Sequence, residues 1–135
     1  MAHSLKAFDL ARFFAALSDP TRLRLINLMG GREVCVCYFV EVLGQSQPKI
    51  SRHLAYLRNV GVVSARRDGK WMHYRIERPE DTGAAAVLDA TLSSLRDDRL
   101  MKSDLAKLAL ACCAPQRFVS LQGAPVPTGF EGTAA

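Results

Sequence analysis

Glycines at 30–31, 44, 61 and 69 cut the stretch from Asp19 to Ile76 into segments too short for a long helix or a broad sheet. Asp19-Pro20 pairs an N-cap residue with proline at the first helical position, predicting a helix to about Met29. Leu25, Leu28 and Met29 should face inward there, and Gly30-Gly31 ends it. Val36, Phe39, Val40 and Leu43 recur at helical spacing, so a short helix is expected over about 36–43, closed by Gly44. Ser46 then caps a further helix whose Pro48 lies in the tolerant first turn. Ile50, Leu54 and Leu57 form its one apolar stripe, and Gly61 stops it. Two β-prone runs follow, Val62–Arg67 and Trp71–Ile76, around Asp68-Gly69-Lys70, which predicts a hairpin with a basic tip.

On either side the periodicity is helical. Leu10, Phe13, Phe14 and Leu17 mark an amphipathic helix within 5–17. A long helix is expected from about Pro79 to Cys113, interrupted near Asp97-Asp98. Leu88, Leu92 and Leu95 line one of its faces, and Leu105, Leu108 and Ala109 another. So apolar a terminal helix needs a cover, and a second copy of the chain is the simplest, giving a two-fold dimer suited to a palindromic site. The expected organisation is one domain over residues 1–115 and a Gly-, Pro- and Ala-rich tail, 116–135, that is poorly ordered.

Two helices joined by a tight glycine-containing turn, then a hairpin, make a helix-turn-helix followed by a wing. The charge distribution supports this reading. Of the formal net charge of +5, residues 44–75 contribute Lys49, Arg52, Arg58, Arg66, Arg67, Lys70 and Arg75 against the lone carboxylate of Asp68. The rest of the chain is nearly neutral, so the basic segment is the electrostatic footprint of a polyanion binder. No run is long and apolar enough to span a bilayer, and no charged-then-apolar leader opens the sequence, so a cytoplasmic protein without a membrane partner is expected. No Gly-rich phosphate loop or metalloprotease pattern points to an enzyme.

The residues themselves resemble a known family. Ala16-Leu-Ser-Asp-Pro-Thr-Arg-Leu-Arg24 resembles the opening of ArsR/SmtB repressors, and Glu33-Val-Cys-Val-Cys37 the metal motif of their arsenic-responsive members. Gln45–Leu54 resembles their recognition helix and Asp68–Arg75 their wing, so the likeness runs in order over about residues 5–77. It implies a mainly α fold with a small β-hairpin wing, a homodimeric winged helix-turn-helix. It also implies a repressor that holds double-stranded operator DNA when empty and releases it on binding its effector.

For DNA contact the expected residues are Ser46, Gln47, Lys49, Ser51, Arg52 and His53 near the start of the recognition helix. Gln47 suits adenine, and Lys49 and Arg52 suit guanine or phosphate. Arg66, Arg67, Lys70 and His73 are expected to reach the backbone or minor groove from the wing, with Trp71 as a packing anchor. His53 lies near the core-facing stripe and has packing as its alternative role.

Four cysteines occur as two close pairs, Cys35/Cys37 and Cys112/Cys113. The resemblance implies that they bind trivalent arsenic (arsenite or a methylated arsenical), and by the same chemistry antimonite, through thiolates in a trigonal pyramid. Residues i and i+2 of a regular helix point roughly 200° apart, so Cys35 and Cys37 are expected to share an ion only in an extended or unwound segment. Effector binding would then unwind the start of the third helix and tilt the next one. The family's third local cysteine is replaced by Val40. The third thiolate is left to Cys112 or Cys113, from the same chain or from a partner subunit, or to a small external thiol such as glutathione. A second, separate site at the C-terminal pair is the alternative, and two thiols alone would favour a methylated arsenical. A thiol redox sensor of the same fold, or a repressor responding to zinc or copper, remains the alternative.

Overall fold

The computed structural model describes residues 8–113, 121 and 123–127. Six helices surround a small sheet in the order α1 (Leu10–Leu17), α2 (Pro20–Met29), β1 (Val34–Cys35), α3 (Val36–Leu43), α4 (Gln47–Asn59), β2 (Val63–Asp68), β3 (Trp71–Ile76), α5 (Thr82–Leu95) and α6 (Arg99–Cys113). The mainly α, winged arrangement is the expected one. No helix among the described residues is long and apolar enough to cross a membrane.

Local chemistry sets the boundaries. Asp9, Asp19, Ser46 and Asp81 each accept a hydrogen bond from the backbone N–H three residues on, starting α1, α2, α4 and α5. Asp98 does the same for Met101, starting α6 and giving the C-terminal helix its expected interruption near Asp97-Asp98. Gly44 closes α3 in the left-handed region at φ 67°.

The sheet holds one strand more than the hairpin expected. β1 pairs antiparallel with β3, matching Val34 with Tyr74 and Cys35 with His73, so β3 is central in the order β1-β3-β2. In the hairpin Asp68 faces Trp71, leaving a two-residue turn in which Gly69 takes φ 61°. That turn suits the twist of paired strands and strongly favours glycine at its first position.

The core is built from Leu25, Ile26, Leu28 and Met29 of α2, Tyr38 and Phe39 of α3, Ile50, Leu54 and Leu57 of α4, and Leu108 of α6. The first helix divides its apolar stripe. Phe13 and Leu17 are buried, whereas Leu10 and Phe14 remain 47% and 48% exposed. Leu100 and Leu110 on α6 are likewise exposed. From the expected tail, Leu121 and Ala124 are buried against the core, and the backbone N–H of Ala124 donates to Leu121. Residues 116–120, 122 and 128–135 of that tail lie outside those described.

Three polar ties fix α2 to its surroundings. Arg24 makes a bidentate pair with the fully buried carboxylate of Asp104 on α6, at 2.8 and 2.9 Å. Asn27 donates to the Met101 carbonyl at 3.1 Å. Arg22 reaches both ways: it donates to the carbonyls of Ala15 and Ala16 at the end of α1, and contacts His53 and Tyr56 on α4. Arg22→Ala should cost about 1–3 kcal/mol, the sum of lost charge-assisted hydrogen bonds and ring stacking. Thermal unfolding should show the melting point falling by several degrees. Arg22→Lys should restore only part of it, because an ammonium cannot span the same fork of acceptors.

Candidate nucleic-acid interface and thiol site

Ile50, Leu54 and Leu57 are fully buried, and this anchorage decides which side of α4 meets solvent. Gln47, Lys49 and Arg52 stand exposed on the outer side, with Tyr56 and Arg58 further along. Ser46 is exposed too, but its hydroxyl oxygen already accepts from the Lys49 N–H at 3.4 Å, so part of its capacity serves the cap. Ser51 and His53 are half-buried.

His53 leans toward α2 rather than outward. Its Nδ1 lies 3.2 Å from the Arg22 guanidinium and 3.7 Å from Asp19. Partial burial pushes the imidazole below its ordinary pKa; Asp19 opposes this, and Arg22, Lys49 and Arg52 add to it. A neutral ring accepting from Arg22 fits both the shorter distance and that direction. His53 therefore links α4 to α2. Arg22, whose charge covers the Tyr56 ring at 4.0 Å from its centroid, is the residue that sequence reasoning passed over. Its only signal was its place three residues after the Asp19 cap.

The wing presents Arg67 and Lys70 to solvent, Arg67 touching the Gly69 carbonyl at 3.5 Å and Lys70 lying 4.9 Å from the Trp71 ring centroid. Arg66 is exposed but engaged: Glu33 accepts from its Nη2 at 2.7 Å and from its Nε at 3.1 Å. That pairing, ahead of burial, holds the Glu33 carboxyl below the usual carboxylate range. His73 departs from the expectation. It is only 5% exposed, on the central strand, with Cys35 on one side and Arg66 on the other. Its Nε2 has no hydrogen-bond partner among the described residues and stands 3.9 Å from Asp68. The added strand β1 buries what a two-stranded wing would have left open.

The same strand settles the first cysteine pair. Cys35 ends β1 and is also the N-cap of α3, with extended backbone at φ −70° and ψ 142°, while Cys37 sits in the first helical turn. This junction, unlike a regular helix, brings the two sulfurs to 3.0 Å, and the Cys37 S–H donates to Cys35. The convergence expected of an extended or unwound segment is present here with Cys35 extended. The Cys35 thiol is lowered from 9.0 to about 7, chiefly by the Cys37 S–H, against burial and with help from the N–H groups of Cys37, Met72 and Val36. Cys37, holding the shared proton in a buried place, is raised.

Cys112 is buried on α6 and Cys113 is exposed. No group of three or more His, Cys, Asp or Glu side chains converges closely enough to hold an ion among the described residues. The structure thus unites Cys35 with Cys37, and neither Cys112 nor Cys113 joins them in such a group among the described residues. Two adjacent soft sulfurs suit a thiophilic ion that needs one donor more.

Comparisons with known proteins bear on the family and the fold. The model of the bacterial regulatory proteins of the arsR family matches residues 19–65. The chain is 46% identical over 79 residues to the arsenical resistance operon repressor of Escherichia coli (strain K12), covering 58% of this chain and 68% of that one. It is 44% identical over 105 residues to a probable mercury resistance operon repressor of Streptomyces lividans, covering 76% and 74%. Among solved structures, reduced HlyU from Vibrio cholerae N16961 superposes with a TM-score of 0.56 at 25% identity, covering 66% of this chain and 90% of that one.

Thiolate ultraviolet absorbance gives a direct check on the cysteine pair. On raising pH, one thiolate should appear with a midpoint near 7 in the wild type. In Cys35→Ser that step should vanish. In Cys37→Ala it should move up toward the ordinary thiol value, because the donating S–H is gone.

Proposed function

The chain belongs to the arsR family of bacterial regulatory proteins and is a winged-helix DNA-binding transcriptional repressor; from that premise we propose that a trivalent arsenical is its effector, bound by Cys35 and Cys37. The observation that carries this reading is the 3.0 Å approach of the two sulfurs at the strand-to-helix junction. Operator DNA meets α4 in the major groove through Gln47, Lys49 and Arg52. Arg67 and Lys70 of the wing meet phosphates, and Arg66 joins them once Glu33 lets go. Exposed Leu10, Phe14, Leu100 and Leu110 support a second copy of the chain as their cover, giving a two-fold reader of a palindromic site.

The third arsenic valence goes to Cys112, to Cys113 or to a small thiol from solution. One relative is named a probable mercury resistance operon repressor. The sulfur spacing favours arsenic. A two-coordinate mercuric ion draws its sulfurs to opposite sides, whereas the pyramidal bonds of trivalent arsenic or antimony keep them on the same side, where these already lie.

Release follows from where the site stands. Cys35 is the cap of α3, and α3 packs directly on α4. Drawing both sulfurs onto one atom reshapes the first turn of α3 and shifts the platform on which the reading helix rests. The effector therefore interacts differently with the bound and released states, as any allosteric release requires.

Fluorescence anisotropy of the protein on its own upstream DNA tests the reading. Arsenite should release the wild type and fail to release Cys35→Ser. If Cys112→Ser/Cys113→Ser also resists, the third thiolate comes from α6; if it responds normally, that thiolate is external. A wild type that stays bound throughout overturns arsenite sensing while leaving the repressor intact. Lys49→Ala should weaken DNA binding and reduce the salt-dependence slope by about one.

A further inference from the structure

Leu121 and Ala124 stand well beyond α6, yet both are enclosed in the hydrophobic core, Leu121 completely. Pro127 is buried too. The Ala124 N–H donates to the Leu121 carbonyl at 2.9 Å, closing a tight turn in which the exposed Gly123 takes φ 79°. Glycine adopts that conformation at no steric cost. The turn lies against the wing: a Cβ built on Gly123 would stand 3.8 Å from Cζ2 of Trp71. Trp71 opens β3, half-buried against the core that holds Leu121. The ammonium of Lys70 lies over the same ring, 4.9 Å from its centroid and within cation–π reach. One indole thus meets the C-terminal segment at its edge and the wing-tip lysine over its face.

We propose that the C-terminal segment around Leu121 and Gly123 is part of the DNA-binding machinery: it buttresses the Trp71 indole, which keeps Lys70 poised for a DNA phosphate. This inference rests on the reading of Lys70 as a phosphate contact. Lysine has a flexible stem, and fixing it on DNA costs rotamer freedom at the moment of binding. A ring that already restrains the ammonium in the free protein shifts part of that cost to folding. The ring does so only if it is itself held, and the burial of Leu121 and Ala124 seats the turn that holds it. Trp71 and the segment act through Lys70 and are positioning groups. They set how well Lys70 binds without changing how many phosphates the protein neutralises.

Trp71 is the chain's only tryptophan, so its fluorescence reports the contact directly. The test compares wild type, Leu121→Ala, Lys70→Ala and the double variant as full-length chains. Acrylamide quenching follows the indole, and anisotropy titration follows binding to the protein's own upstream DNA. In Leu121→Ala the emission should shift to the red and quenching should rise. DNA affinity should fall about two- to tenfold, the cost of ordering one long side chain, at an unchanged salt-dependence slope. In the Lys70→Ala background the same substitution should cost nothing further. Unchanged emission and quenching overturn the buttress. Changed fluorescence at unchanged affinity, or an equal loss with and without Lys70, shows a packing contact only and overturns the proposal. If Lys70→Ala alone binds DNA as the wild type does, the reading of the wing fails and takes this inference with it. Should Leu121→Ala fail to fold, Gly123→Val takes its place. That site is exposed, and a β-branched residue is strained at φ 79°, so the turn is displaced from Trp71 with no core side chain removed. The same results are then expected, and the same ones overturn.

Discussion

The attitude of the reading helix depends on a single guanidinium. Arg22 rises from the first turn of α2, donates to the last carbonyls of α1, meets the His53 ring and lies over Tyr56. Three helices are thereby referred to one side chain. Helix ends leave carbonyls without intrahelical partners, so an arginine placed beside one satisfies them while its flat face remains free for an aromatic ring. The apolar stripe of Ile50, Leu54 and Leu57 seats α4 on the core, but a stripe alone permits some rotation and tilt. The polar contacts to His53 and Tyr56 add direction to that seat.

A second constraint runs through the small sheet. The register aligns Cys35, His73 and Arg66 across its three strands, and Arg66 in turn is gripped by Glu33, two residues before Cys35. The thiol site and the wing are thus neighbours in one hydrogen-bonded ladder. Strands in such a ladder do not shift independently, since register and side-chain facing are set together. Cys35 also begins α3, which packs on α4. From one residue the structure reaches both DNA-facing elements, by the sheet to the wing and by the helix to the reading head.

Much of this was legible in the residues. The cap-and-glycine punctuation marked α2, α3 and α4 closely, because caps and left-handed glycines act on their immediate neighbours. Lys49 and Arg52 were recognisable as outward-facing from helical periodicity alone, and the structure leaves both exposed. His53 and His73 show where such reasoning stops. Each carries a chemistry suited to DNA, and each is turned to an internal partner by a residue distant in sequence, Arg22 for the one and the β1 strand for the other. The two-residue strand had no periodicity to announce it.

The sequence by itself determined the kind of protein: a basic helix-turn-helix with a wing, and two thiol pairs in fixed places along the chain. Local propensities, short-range caps and charge spacing are properties of neighbouring residues, and they survive without knowledge of the fold. Only the tertiary structure decided that Cys35 and Cys37 converge, that His73 is enclosed, and that the Tyr38 hydroxyl is buried without an acceptor among the described residues. Each of these depends on a strand pairing or a helix packing between residues far apart in the chain, and no local pattern encodes the distance between them.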